Sequence, residues 1–267
     1  MKQLDLTRYL FQSALVSCTA LCCLILAQPR ASAQQASTVG ASSELEKDLQ
    51  RIGTAASELM ISIPSFTCDE TAVSQAIRDG KPVRTVKLSG IVRAIRHTDG
   101  RLVETNDYKR EHILFVIPKV PPLFVSGGFA TALGYFRPYA QACYRYSLSP
   151  GRIDFIARTD APNAHQCKDH GLKGFATLDA AGNVSHIERT VPPDMAKALK
   201  LATFASIDLA PVDLNGRMYQ LSHHLVAEMP LSGATGRFDA TYSNCHRFTA
   251  SVTLGPSAEV PPESSPE

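Results

Sequence analysis

Apolar and polar residues alternate with period two through most of the chain beyond residue 65, and recur every three or four positions in one stretch before it. In that earlier stretch Leu45, Leu49, Ile52, Ala56, Leu59, Met60 and Ile63 form one stripe of an amphipathic helix. Ser43 and Glu46 read as its capping box, and Pro64 stops it. Strands follow over residues 65–77 and 83–97, where Val86, Leu88, Gly90, Val92 and Ala94 share a face. Asp99-Gly100 turns the chain back into a strand over 102–108, and 112–117 is a short apolar strand. Residues 126–136 carry Phe129, Ala132, Leu133 and Phe136 on one stripe, which predicts a short helix. A hairpin spans 143–158 around Ser149-Pro150-Gly151, and residues 159–169 form a polar loop holding Cys167.

Residues 172–191 are the central hairpin. Leu172, Gly174, Ala176 and Leu178 lie on one face with Lys173, Thr177 and Asp179 opposite, and the Gly182-Asn183 region supplies the reversal. Strict alternation sets Phe175 and Ile187 on the opposite face from Leu172 and Leu178, so both faces carry apolar groups. A helical turn from Pro192-Pro193 through Leu199, a strand over 204–214, an Asn215-Gly216 type I′ turn, and strands over 217–229 and 236–254 complete the pattern. In the last strand Phe238, Ala240 and Tyr242 alternate with polar residues. The expected fold is α+β: one curved antiparallel sheet with an N-terminal amphipathic helix and a short helical insert, and no internal repeat.

The ends lie outside this pattern. Lys2 and Arg8 precede an apolar run over 9–27, and Ala31-Ser32-Ala33 is a small-x-small cleavage site, so residues 1–33 read as a signal peptide. Leu15-Val16-Ser17-Cys18 also fits a lipobox, whose alternative product is a chain anchored through Cys18. Residues 34–42 are a flexible leader, 43–254 a single domain, and 255–267 a disordered tail rich in Pro, Ser and Glu. No second apolar run approaches the about 20 residues of a membrane-spanning helix, so no integral span remains after cleavage. A periplasmic or secreted location follows.

A net charge of +2 and scattered aromatics give no reason to expect nucleic acid. Of seven cysteines, Cys68, Cys143, Cys167 and Cys245 fall in the mature chain, an even number in an oxidising compartment. Four cysteines allow three pairings. Cys143–Cys167 is favoured because it closes a short segment around one hairpin, which leaves Cys68–Cys245 by elimination.

No Gly-x-Ser-x-Gly elbow, His-Glu-x-x-His helix or phosphate-binding glycine loop occurs. His165, Cys167 and His170 have ligand-type spacing, but an oxidised Cys167 removes the thiolate a metal needs. Adjacent His223 and His224 diverge on a strand, as do Asp69 and Glu70, which read as solvated carboxylates. Asn183-Val184-Ser185 is assigned to the turn. No catalytic residue, metal or cofactor is expected.

Ile63-Pro64-Ser65-Phe66-Thr67-Cys68, Ser126-Gly127-Gly128-Phe129, Gly174-Phe175-Ala176-Thr177-Leu178-Asp179 with Ile187-Glu188, and Tyr242-Ser243-Asn244-Cys245-His246-Arg247-Phe248 carry a resemblance. On them the chain resembles a group of uncharacterised secreted proteins abundant in Acidobacteria. In architecture it is similar to the LolA-like periplasmic lipoprotein carriers, whose half-open barrel holds helices in its concavity and binds acyl chains. That resemblance implies a non-enzymatic protein binding a lipid or lipid-modified partner in an apolar cavity, here lined by Leu88, Val92, Phe129, Leu133 and Phe175. The alternative is an envelope module that meets a protein partner and whose concave side is filled by its own core. A third reading is an extracytoplasmic hydrolase.

Overall fold

The computed structural model describes residues 31–108, 122–126, 128–129, 131–160, 167, 171–199 and 201–248, with side chains from Ser43 onward. The chain divides into two units, Met1–Ala41 and Ser42–Glu267. Residues 1–30 of the expected signal segment, the strand over 112–117, His165, His170 and the tail over 255–267 lie outside the described residues.

Helix α1 covers Ala31–Ser62. Residues 34–42 are therefore helical, and Ser43 and Glu46 sit inside the helix instead of capping it. No proline interrupts that stretch, so nothing stops propagation of the helix once formed. The apolar stripe is as expected: Ile52, Ala56, Leu59 and Ile63 are buried, with Leu45 and Leu49 packed beside them. Arg96 Nε donates to the Ile63 carbonyl at 2.7 Å just past the helix end.

Among the described residues ten strands form one open, curved sheet in the order β3-β2-β1-β10-β9-β8-β7-β6-β5-β4. They are β1 (Phe66–Arg78), β2 (Lys81–Arg96), β3 (Leu102–Tyr108), β4 (Tyr144–Ser149), β5 (Arg152–Ala157), β6 (Lys173–Leu178), β7 (Val184–Thr190), β8 (Phe204–Asp213), β9 (Met218–Leu231) and β10 (Ala234–Arg247). Every pair is antiparallel, and β3 and β4 are the edges. Asn215 and Gly216, at φ of 65° and 83°, make the reversal between β8 and β9. Pairing of β1 with β10 joins the first strand to the last, and the Cys68–Cys245 disulfide crosses that seam. Cys143–Cys167 is the second bridge, so both pairings are those expected.

Four register shifts interrupt simple alternation among the described strands, and two of them, in β7 and β9, set which side chains face the core. Thr177 pairs with His186 and Leu178 with Val184, which leaves Ser185 as the extra residue. That one residue brings both Val184 and Ile187 onto the core face, where they are buried, Ile187 opposite Ala176. The expectation that Ile187 shares a face with Phe175 is thereby corrected. Asp208 likewise pairs with His224 while Leu209 pairs with Ser222, and His223 is the extra residue.

The insert 122–141 crosses the core face. It is not a helix over 126–136: it holds a 3-10 turn, Gly134–Phe136, and a single helical turn, α2 (Pro138–Gln141). Gly128, at φ of 67°, sets the left-handed bend that breaks any longer helix. Gly53 of α1 lets the insert approach, since a Cβ there would stand 2.8 Å from the Phe136 carbonyl oxygen. Gln141 Nε2 donates to that carbonyl and to the Leu49 carbonyl, at 2.7 and 2.9 Å. Helix α3 (Pro193–Leu199) links β7 to β8.

Candidate ligand-binding site

Leu88, Val92, Phe129 and Leu133 belong to one apolar cluster on the core face, whereas Phe175 does not join it. Phe129 packs edge-on against Phe66 and Tyr242, with ring centroids 5.2 and 5.0 Å apart. Val92 is 0% and Phe129 1% exposed. At these positions the concave side is filled by the protein's own side chains.

Phe175 lies on the other face because the period-two rule holds through β6 and puts Ala176 inward. Arg152 stacks 3.7 Å above its ring and His186 packs beside it. It lines an open cleft of about 410 Å³ with Arg145, Lys173, Glu188 and Arg189.

A cleft of about 160 Å³ opens between α1 and the β6–β7 and β8–β9 turns. Its inner wall is Ile52, Leu59, Leu133 and Val184, all members of the core cluster. At its mouth Arg51 reaches the Gly182 carbonyl and pairs with Asp48 at 2.6 Å, and Arg217 pairs with Glu58 at 3.0 Å. Tyr219 donates to the Ser62 carbonyl at 3.1 Å, tying the end of α1 to β9. The volume is about half the roughly 300 Å³ at which small-molecule pockets begin, and close to the roughly 150 Å³ that accepts a benzene. The cleft thus has room for the end of one apolar chain.

A polar cluster sits on the floor under the insert. Phe66, Cys68, Glu70, Ala72 and Ser74 all point inward from β1, so Glu70 is 1% exposed and not the solvated carboxylate expected. It lies in a row across four strands, Tyr242 on one side and Gly90 then Tyr108 on the other. Asn106 Nδ2 donates to Glu70 Oε2, and the Tyr108 and Tyr242 hydroxyls stand beside the same carboxyl. Burial pushes the Glu70 carboxyl above its ordinary value more than nearby Asn106, Tyr108 and Tyr242 hold it down, and Glu104 adds repulsion. Glu104 Oε2 accepts from the Gly128 amide of the insert at 3.1 Å. Ser74 Oγ bonds both the amide and the carbonyl of Leu123, at 2.9 and 2.6 Å. Period two alone would have flagged Glu70, since it shares parity with Phe66 and Cys68.

On the outer face His186, Asp208, His224 and Asp239 form a hydrogen-bonded row across β7 to β10, with contacts of 2.6, 3.2 and 2.9 Å. Partial burial alone would lower the His224 pKa, but its bonds to Asp239 and Asp208 outweigh that and raise it. This row escaped the sequence because its members are up to 53 positions apart and meet only through strand register. No group of three or more His, Cys, Asp or Glu among the described residues is arranged to hold a metal, and no helix among them is long and apolar enough to cross a membrane.

No family model matches the sequence, and no curated protein matches it. Among solved structures the chain is similar to a DUF1329 family protein from Desulfovibrio piger, at 11% identity and a TM-score of 0.38 over 77% of this chain and 95% of that one. It is similar to a LolA superfamily protein from Nitrosomonas europaea, at 12% identity and a TM-score of 0.33 over 76% and 94%. A third neighbour is a domain from Vibrio parahaemolyticus described as an outer membrane lipoprotein-sorting protein, at 10% identity and a TM-score of 0.39 over 78% and 94%. At such identities these neighbours assign no ligand to this chain.

Proposed function

We propose that the chain is an exported, non-enzymatic binding protein for a lipid or lipid-modified partner. The apolar group of that partner enters between α1 and the β6–β7 and β8–β9 turns and takes the place of the insert over the sheet. The observation that carries this reading is the cleft itself, open to solvent and walled by core side chains including Leu133. A volume of about 160 Å³ is too small for a whole acyl chain, so the insert has to move. Its construction favours that: the described residues of 122–141 contribute no strand to the sheet, and their ties to it are packing and a few side-chain hydrogen bonds. Two disulfides and the leader sequence favour an oxidising compartment outside the cytoplasm.

Displacement of a fluorescent fatty-acyl probe tests this. Ala55 is exposed on α1 and lines the cleft, so Ala55→Trp blocks the mouth without touching the core. The reading expects saturable binding by the natural chain and at least a tenfold loss in Ala55→Trp at unchanged thermal stability. Absence of binding, or equal binding by both, contradicts it. The burial of Val92 and Phe129 favours a second reading, an envelope module with a permanently filled core that meets a protein along β3 or β4. That reading expects no probe uptake at all.

A further inference from the structure

We infer that the cleft between α1 and the β6–β7 and β8–β9 turns takes a single-chain amphiphile with an anionic head, its apolar chain against the core and its carboxylate or phosphate on Arg217 and Arg51. The inference rests on the binding role proposed above and names the head group for that same cleft.

The placing of charge around an apolar wall carries it. Ile52, Leu59, Leu133 and Val184 form the inner wall, and the charged side chains among the lining residues are Arg51, Arg217 and Glu58. Arg51 comes from α1 and Arg217 from the turn before β9, so guanidiniums from two separate elements flank one apolar opening. Local structure sets each of them. Gly182 has no side chain where the Arg51 guanidinium lies against it; Arg51 Nη1 donates to the Gly182 carbonyl, and Nη2 donates to Asp48. The Leu214 amide donates to the Arg217 carbonyl at 2.9 Å, closing the Asn215-Gly216 turn. The Arg217 guanidinium then leans over the Tyr219 ring, 5.3 Å from its centroid.

The sign of the head group follows from which groups are already committed. Arg217 is half-exposed, and among the described residues its side chain makes one hydrogen bond, Nη2 to Glu58 Oε2 at 3.0 Å. Its Nε and Nη1 are left for a ligand, and a guanidinium holds carboxylate or phosphate oxygens by charge-assisted hydrogen bonds. The acids on the surrounding segments are engaged: Asp48 with Arg51, Glu58 with Arg217, Asp179 with the Asn183 amide at 2.8 Å, and Asp213 with the Gly216 amide at 2.6 Å. A cationic head would meet two repelling guanidiniums and one lining acid, whereas an anionic head meets two attracting guanidiniums and one repelling acid. An acyl chain in ester or amide linkage to a polypeptide brings no charge to these guanidiniums. The cleft therefore favours a free anionic lipid over a lipid-modified protein.

Calorimetric titration of the disulfide-bonded protein at neutral pH tests this, with decanoate, decyl phosphate, glycerol monodecanoate and decyltrimethylammonium as probes below their micelle concentrations. The anionic probes are expected to bind about tenfold more tightly than the neutral one, and the cationic probe most weakly. Tighter decanoate assigns a fatty acid, and tighter decyl phosphate assigns a phospholipid. Arg217→Gln is expected to weaken the anionic probes about fivefold, whereas Glu58→Gln, which breaks the same ion pair but removes the repelling carboxylate, is expected to strengthen them. Weaker anion binding in both variants marks a purely structural ion pair and overturns the inference. Should Arg217→Gln not fold, salt decides in the natural chain: anionic affinity that falls with added sodium chloride while neutral affinity holds supports the inference, and equal response overturns it. Uptake of all the probes with equal affinity keeps the carrier reading and loses the anionic head. Uptake of none removes the carrier reading and the inference with it.

Discussion

Gly90 lies opposite Tyr108 across the β2–β3 pair, and a Cβ at position 90 would stand 2.8 Å from the Tyr108 Cα. The missing side chain is what lets Tyr108 lean over β2 toward Glu70. Gly90→Ala is expected to push β3 outward and cost about 1–3 kcal/mol, the usual range for overpacking. In a chain of this size that is a fall of roughly 2–10 °C in melting temperature. Gly134→Ala is the control: nothing lies within 4 Å of a Cβ there, and thermal melting should not change.

The two disulfides should differ in worth. Cys68–Cys245 joins residues 177 apart and Cys143–Cys167 residues 24 apart. On the chain-entropy account the first constrains the unfolded chain by about 5 kcal/mol and the second by about 3 kcal/mol. Replacing each pair by serines and measuring urea midpoints should therefore show the larger loss for the β1–β10 bridge.

The outer-face row predicts a pH dependence of stability. With its pKa raised, His224 contributes fully below its ordinary value of 6.5, and the contribution fades as pH rises through the raised value. Asp208 would be raised by burial alone, but His186 and His224 hold it below its ordinary 3.8, so its contribution is present above that value and fades as pH falls through the lowered one. The row is most stabilising between those limits. With His224 about a third exposed, its share is under about 1 kcal/mol. The natural chain is expected to lose melting temperature between pH 6 and 8, and His224→Gln is expected to flatten that decline.

Much of the sheet was legible because its residues obey local rules. Alternation in β1, β2 and β10, the Asn215-Gly216 turn and the α1 stripe each depend on near neighbours in sequence. Ile187 was misplaced because a bulge at Ser185 changes the phase, and nothing in the composition of residues 184–187 marks which residue is extra. The site was read less well for the same kind of reason. Val92, Phe129 and Leu133 come together as core, whereas the parity of Phe175 within β6 puts its ring on the outer face under Arg152. The Glu70 cluster draws on β1, β3, β10 and the insert, so only strand register brings it together. Glu70 itself could have been flagged from its parity with Phe66 and Cys68.

The central claim is that an acyl chain can replace the insert over the sheet. Native mass spectrometry of residues 34–267, made in an oxidising export host without detergent and then mixed with a single-chain lipid, tests it most directly. The account predicts an adduct of one lipid per chain, strengthened when Phe129→Ala removes the ring packed on Phe66 and Tyr242 and weakened by Ala55→Trp. A clean apo mass for the natural chain and for Phe129→Ala, at every lipid concentration, would contradict it.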